Sequence, residues 1–345
     1  MTRFFLGIDV GGTNIKSGVL DANGHSYSKV SLSTEAQNGP DKGIERICDL
    51  AQKAVSEAGC AWDDIAQVGL ATPGTMDLST GMLLNPPNLP GWVNLPIRDI
   101  VQEKLNRSTI LQNDANAAAF GEFWVGEARG KNSLVMWTLG TGIGCGIIVG
   151  NTIIEGEHSH GSECGHIIVE MDNGRMCATD QSGTLEAYAS SKSIVKRCLE
   201  GMENDQQSSL RDLVNHNEKI TPLLIAQAAE DGDEFAEKLI MDTAKYLGVG
   251  TTTLMHTINP AIVLFGGAMT FGRNDTELGR RFIERIRREV RVRAFPVPAE
   301  KTVIEYASLG GDAGYIGAAG CAKLAFERSK TTSCERGNPS MPLQS

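Results

Sequence analysis

The stretch FFLGIDVGGTNIKSGVL, residues 4–20, puts one acid, Asp9, at the end of an apolar run and follows it with Gly11, Gly12 and Thr13. The runs on either side, residues 4–9 and 15–20, read as strands. Two glycines between them permit a tight turn, and they also let backbone amides come close to an anion. Two readings stand side by side. One is a plain hairpin with a solvated aspartate; the other is a phosphate cradle whose carboxylate holds a magnesium ion or its waters. It is not a Walker loop, since G-x-x-x-x-G-K-[ST] is absent, and not a dinucleotide fingerprint, since a strand stands where a helix should start.

Outward from this turn, strands and helices alternate. Residues 41–59 keep a helical period through Ile44, Ile47, Cys48, Ala51, Ala54, Val55 and Ala58, and Gly59 ends it. IAQVGLATPG (65–74) is a buried strand running into a Pro-Gly turn. The loop NPPNLPGWVNLP (85–96) leads to a helix at 96–106, a strand at 108–112 and an Ala-rich helix at 115–126. At 133–156 the opening shape returns: SLVMWTLGTGIGCGIIVGNTIIEG is again strand, glycine turn, strand. That weak internal repeat predicts two lobes on one plan. Residues 201–220 are polar and read as a surface excursion. A helical region spans 221–259, followed by a buried strand (261–265), the glycine loop GGAMTFG (266–272), a basic helix, a strand (301–307) and a small-residue helix (312–328). Residues 329–345 are polar and read as a disordered tail.

Bulk properties narrow the function. At 345 residues the chain suits two lobes rather than one core. With 41% hydrophobic and 21% charged residues it has an ordinary soluble composition, no stretch long enough to span a membrane and no secretory leader, so a cytoplasmic protein is expected. A net charge of −10 argues against a general nucleic-acid binder. The run RRFIERIRREVRVR (280–293) has a core face of Leu278, Phe282, Ile286 and Val290, which makes its arginines a solvated helix face. Eight scattered cysteines imply reduced thiols.

Three glycine turns end apolar strands: the first at Asp9–Thr13, the second in TLGTGIGCG (138–146) and the third in FGGAMT (265–270). Such loops suit a nucleotide gripped at both ends of its phosphate chain and bordered at its base. In ILQNDANAAAF (110–120), Asp114 reads either as an N-cap or as a general base at a strand end. Glu163, His166 and Glu186 have the donors and acceptors that vicinal hydroxyls need, or else form exposed polar turns.

The chain resembles the ROK group of sugar kinases and repressors, within the superfamily of actin-like and hexokinase-like ATPases. The resemblance runs from Phe4 to about Phe326 and rests on DVGGTNIK, ATPGTMD, PNLPGW, NDANAAAFGE, TLGTGIGCGIIV, GSECGH, LEAYAS, FGGAM and LGGDAGYIGAA, in the family's order. It implies an α/β fold of two lobes, each a mixed sheet flanked by helices, with a cleft between them. One lobe would be residues 1–117 completed by a helix at about 311–328, and the other 118–310. It implies ATP phosphates at Asp9, Gly11, Gly12, Thr13, Thr141 and Gly142, adenosine beside Gly266 and Gly267, and magnesium at Asp9. It makes Asp114 the catalytic base and places the sugar at Gly74, Asn88, Asn113, Asp114, Glu163, His166 and Glu186. PNLPGW looks most like the glucokinase branch, so C6 of glucose is the expected acceptor. Other hexoses, N-acylamino sugars and polyphosphate as donor stay open. A homodimer or homotetramer is expected, with no nucleic-acid or membrane partner.

One departure concerns metal. Kinases of the family commonly carry C-x-C-G-x-x-G-C-x-E, whose cysteines join the E-x-G-H histidine around a structural zinc. Here the stretch is CATDQSGTLE (177–186), with Thr179 and Thr184 where two cysteines would stand. Tetrahedral zinc wants four strong ligands, so no structural zinc is expected. A substitute set drawn from His158, His160, Cys164, His166 and Cys177 has no family spacing behind it. The rivals to a kinase are a sugar-responsive transcription regulator and a catalytically weak sugar-binding protein. Family repressors carry a DNA-binding domain ahead of the first turn, and the intact turns with Asp114 favour catalysis.

Overall fold

The structure, a computed structural model, describes residues 3–336 and side chains through Thr331. It comprises two compact units. Of the described residues, the first holds 3–129, Glu155–His160 and 311–336; the second holds Gly130–Ile154 and Gly161–Gly310.

The first unit opens with β1 (Phe4–Val10), β2 (Asn14–Asp21), β3 (Val30–Ser33), α1 (Pro40–Ala58) and β4 (Ile65–Thr72). It continues through β5 (Thr75–Asp77), β6 (Met82–Asn85), α2 (Ile97–Leu105), β7 (Thr109–Asn113) and α3 (Asp114–Trp124). The second contains β8 (Ser133–Leu139), β9 (Ile143–Val149), β10 (Thr152–Ile153), α4 (Glu186–Ala189), α5 (Ser191–Glu203) and α6 (Arg211–Asn215). After α7 (Pro222–Glu230) and α8 (Glu234–Ile258) come β11 (Ile262–Gly267), α9 (Glu277–Arg293), α10 (Pro296–Lys301) and β12 (Val303–Tyr306). The final helix, α11 (Ala313–Arg336), returns to the first unit.

The two sheets share one plan. Their strand orders are β3-β2-β1-β4-β7 and β10-β9-β8-β11-β12. In each, an antiparallel hairpin (β1–β2, β8–β9) is extended on one side by parallel strands. The internal repeat therefore corresponds to a repeated topology, although the two turns share little identity. Each sheet has its own core: Leu6, Ile8, Ile44, Ile47, Leu70 and Trp92 in one, and Val135, Trp137, Ile240, Phe265, Phe282 and Ile286 in the other.

Alpha11 packs directly on the first sheet. A Cβ at Gly7 would lie 1.8 Å from the Tyr315 carbonyl oxygen, and one at Gly69 would lie 1.8 Å from that of Ala318. Gly317 similarly meets Ala117 of α3, so small residues on both helices bring the backbones close. This packing explains why the unit boundary falls at Arg129/Gly130 and not at the expected 117/118, which lies inside α3.

Two further expectations are corrected. The tail expected from 329 is helical as far as Arg336, its turns tied by Lys323–Glu327 and by Thr331 to the Glu327 carbonyl, with Phe326 packed edge-on against Phe5. The rest of that tail lies outside the described residues. The polar stretch 201–220 is not all surface, because Met202, Leu210 and Ile220 are buried beneath it and α6 forms within it. Along α9, Leu278, Phe282, Ile286 and Val290 are buried, while Arg281, Arg285, Arg287 and Arg293 pair with Glu237, Glu289, Glu305 and Glu289. Among the described residues no helix is long and apolar enough to cross a membrane.

Candidate functional site

In the first unit, the parallel strands β1, β4 and β7 end at one edge of the sheet, where open α/β folds present their ligand groups. Asp9 pairs with Ala71, and Thr72 with Asn113, so Asp9, the Gly74 turn and the Asn113–Asp114 pair are carried on that edge. The glycine turn is a hairpin: Gly11 N–H donates to the Asn14 carbonyl at 2.9 Å. Thr34 clamps it from β3's end, its hydroxyl donating to the Gly11 carbonyl at 2.6 Å and its amide to that of Thr13 at 2.8 Å. A Cβ at Gly12 would lie 2.8 Å from Asn88 Cβ, so the expected nucleotide turn and the expected sugar loop touch. That loop is anchored by Trp92, fully buried against Gly43 of α1. Gly74 takes φ 93° with its Cα against Pro86, a conformation and a fit that favour glycine.

Asp9 is half-buried beside the first turn of α11, where a Cβ at Gly314 would come within 2.2 Å of its Oδ2. Burial pushes its carboxyl up to about 6, with the Lys16 ammonium opposing the shift. Lys16 pairs with Asp9 across the β1–β2 ladder and donates to the Gly311 carbonyl. The sequence reading gave Lys16 no role; its signal is the tight turn, whose antiparallel register sets a cation opposite the acid.

Asn113, not Asp114, caps α3. Its Oδ1 accepts from Ala115 N at 2.9 Å and from Asn116 N at 3.2 Å. Asp114 is the first helical residue, and its Oδ1 accepts from Ala115 N at 2.8 Å. The N-cap reading of Asp114 is thus corrected by one position: Asn113 keeps extended dihedrals as it leaves β7, while Asp114 is already helical.

The second unit carries the remaining candidates. Gly266 and Gly267 pair with Thr138 and Leu139, so the second and third glycine turns lie side by side, joined by Met269 N–H to the Leu139 carbonyl at 3.1 Å. Thr141 is exposed at the tip of the second turn. Glu186 buttresses this turn: its Oε2 accepts from Ile143 N at 2.9 Å and would lie 2.4 Å from a Cβ at Gly142. The Gly140 carbonyl accepts from Ser191 N at 3.0 Å. Glu186 also borders a cavity of about 240 Å³ whose wall includes Arg175, Cys177 and Lys192. The arginine-lined groove along α9, about 420 Å³, shares no residue with these sites.

Glu163 is exposed and starts a single turn, Cys164–His166, with His166 N–H donating to the Glu163 carbonyl at 3.1 Å. Gly165 is wedged against the Ile143 carbonyl, a Cβ there lying 2.3 Å away, so this turn packs on the start of β9. Among the described residues, His166 Nδ1 is buried with no hydrogen-bond partner.

The residues of the eroded zinc motif do not fit that metal. Cys177 Sγ lies 3.0 Å from Thr179 Oγ1. Burial raises the thiol, but hydrogen bonds with Thr179, Gln181 and Thr184 outweigh it and hold Cys177 below its ordinary value. The two threonines at cysteine positions thus bond the remaining thiol, and neutral hydroxyls are poor zinc ligands. His160 Nδ1 takes up the His158 carbonyl, and Cys164 packs against Cys145. Among the described residues no group of three or more His, Cys, Asp or Glu side chains is arranged so that it could hold a metal ion. Magnesium is a different case. It needs one or two carboxylates alongside substrate phosphates, and Asp9 beside a glycine turn fits that requirement.

Two α/β units built on one strand order, each ending in glycine turns, define the actin-like, hexokinase-like ATPase fold. The crystal structure of a ROK hexokinase from Thermus thermophilus superposes with TM-score 0.79 at 30% identity, covering 94% of this chain and 100% of that one. A ROK glucokinase from Streptomyces griseus, solved with glucose and AMPPNP, gives 0.73 at 29% identity, over 93% and 99% of the two chains. The chain belongs to the ROK family, whose model matches residues 5–325. It is 31% identical to a glucokinase of Halalkalibacterium halodurans over 97% of this chain and 98% of the relative. A glucokinase of Thermotoga maritima is 34% identical over 77% and 82%. A xylose repressor of Caldicellulosiruptor bescii is 29% identical over 90% and 76%.

Proposed function

We propose that this ROK sugar kinase transfers the γ-phosphoryl group of ATP to the C6 hydroxyl of glucose, with Asp114 as general base. One observation carries the reading: Asp114 stands on the first turn of α3, its carboxylate oriented by the Ala115 amide, on the same sheet edge as Asp9 and the Gly74 turn. The glucokinase relatives and the structure solved with glucose and AMPPNP support sugar and nucleotide as the ligands.

Asp114 takes the proton from the sugar hydroxyl as that oxygen bonds to the γ-phosphorus and the bond to the ADP oxygen breaks. Asn113, Asn88, Gly74, Glu163, His166 and Glu186 hold the sugar's hydroxyls. Asp9 would hold magnesium, directly or through its waters, and the ion when bound neutralises phosphate charge. With the Gly11 amide engaged by the Asn14 carbonyl, the amides of Gly12 and Thr13 and of residues 141–142 grip phosphate oxygens, and Gly266–Gly267 border the adenosine. Positioning dominates in such a loose transition state, and a single base contributes about 10² to 10⁴ in rate. Tighter binding of the sugar alone would not raise the chemical step.

The test is a coupled ADP-release assay over glucose, fructose, mannose, N-acetylmannosamine and N-acetylglucosamine, with polyphosphate as alternative donor. Glucose with ATP should give the highest kcat/KM; a tenfold preference for another sugar would reassign the substrate. A homodimer or homotetramer is checked by light scattering.

The likeness to a xylose repressor favours a second reading, a sugar-responsive regulator. A salt-resistant, sequence-specific complex in gel shifts, together with no ADP release on any sugar, would replace the kinase by the regulator.

A further inference from the structure

Residues 155–160 are flanked in sequence by the second unit yet belong to the first. Both ends of this segment are pinned there. Ser159, held at φ 59°, accepts the Leu78 amide on its hydroxyl at 3.0 Å. Glu155 Oε1 accepts from Gln112 Nε2 at 2.7 Å. Gln112 is buried at the end of β7, directly before Asn113 and Asp114. Its Oε1 accepts from the Asn113 amide at 2.8 Å and from Asn116 Nδ2 at 3.4 Å.

These bonds have a fixed polarity. A carboxylate only accepts, so Glu155 draws the Gln112 NH₂ toward itself and leaves the carbonyl facing Asn113. Without Glu155 the NH₂ loses its acceptor and the amide is held only by the two bonds on its Oε1; turning over would set its NH₂ against the Asn113 N–H, donor against donor. Asn113 caps the helix on whose first turn Asp114 sits, so an error here is transmitted to the carboxylate through two short links.

We infer that Glu155 is a positioning residue for phosphoryl transfer: through Gln112 it sets the Asn113 cap and the aim of Asp114. This rests on Asp114 being the base. Misplacement of a reacting group by about 1 Å costs roughly 10²-fold in rate, so partial loosening should register in kcat before it registers in affinity.

The test uses the full chain with glucose and ATP, and three variants. Glu155→Ala should lower kcat about tenfold with KM for ATP within about twofold. Gln112→Glu sets two carboxylates face to face and should lose at least as much. The exchange Glu155→Gln with Gln112→Glu rebuilds each bond with the donor on the other side, since a carboxylate at 112 still accepts from Asn113 and Asn116. It should recover most of the rate that Gln112→Glu loses, which a purely packing role would not do. The exchange also keeps the test decisive if Glu155→Ala folds poorly. An unchanged kcat in Glu155→Ala, or an exchange no better than Gln112→Glu alone, would overturn the inference. Asp114→Asn run alongside separates the two readings: full activity there removes the base assignment, whereas an inactive Asp114→Asn beside an unchanged Glu155→Ala removes only the positioning role.

Discussion

Asp9 and Lys16 face each other across the β1–β2 pair, and the lysine is bonded to the Gly311 carbonyl in the turn just ahead of α11. The acid is nevertheless held up to about 6 from 3.8 by burial, so the nearby ammonium does not offset its desolvation. On the proposed function, this desolvated carboxylate beside the glycine turn is the group that would take the magnesium ion.

Ionising Asp9 therefore costs the empty protein stability. Its folded value is raised, so the unfolded chain ionises first, and the cost accumulates as pH climbs from about 3.8 to about 6 and is complete above that. Asp9→Asn should stabilise the protein by about 1–3 kcal/mol at pH 7.5 in EDTA, with the difference vanishing near pH 3.5. The same substitution should cost at least about 10²-fold in kcat. Thermal melts across this range decide it; equal melting points at every pH would mean that the carboxylate is not desolvated in solution.

For Asp114→Ala the expectation is a loss of about 10² to 10⁴ in kcat with glucose affinity by calorimetry changed only a few-fold. Because Asn113 provides the cap, this variant should keep nearly all its stability, whereas Asn113→Ala should lose about 1 kcal/mol. Retained activity in Asp114→Ala removes the base assignment.

Gly142 belongs to the expected nucleotide turn, yet its Cα faces Glu186, an expected sugar ligand. An added methyl must displace that carboxylate. Gly142→Ala should raise KM for glucose about tenfold as well as KM for ATP. A change confined to ATP would separate the two groups.

Purified protein should carry less than about 0.1 zinc per chain, and Thr179→Cys with Thr184→Cys should raise this toward about one by completing four ligands with Cys177 and His166. One tightly held zinc in the unsubstituted protein would show that the threonine-bonded thiol is not its resting arrangement.

Much of the fold was legible because it depends on local pattern. The alternation around residues 4–20 and 133–149, the helical period from Ile44 to Ala58 and the glycine turns each act within a few residues. The tail from 329 differs from its composition because α11 continues past Arg328, its next turn closed by the Thr331 hydroxyl on the Glu327 carbonyl, and a polar composition does not exclude one more helical turn on an existing helix. The buried residues within 201–220 were missed because isolated apolar residues such as Leu210 form no period.

Sequence by itself determined the family, the two-fold repeat of strand, glycine turn and strand, and the loss of two zinc-position cysteines, because all are properties of order and residue type. Only the tertiary structure decided which groups meet. Sheet register set Lys16 opposite Asp9. The backbone leaving β7 made Asn113 the cap and left Asp114 on the first helical turn. The return of residues 155–160 to the first unit brought Glu155 to Gln112, 43 positions away. No local pattern encodes such a pairing, since it follows from how whole strands and helices are packed.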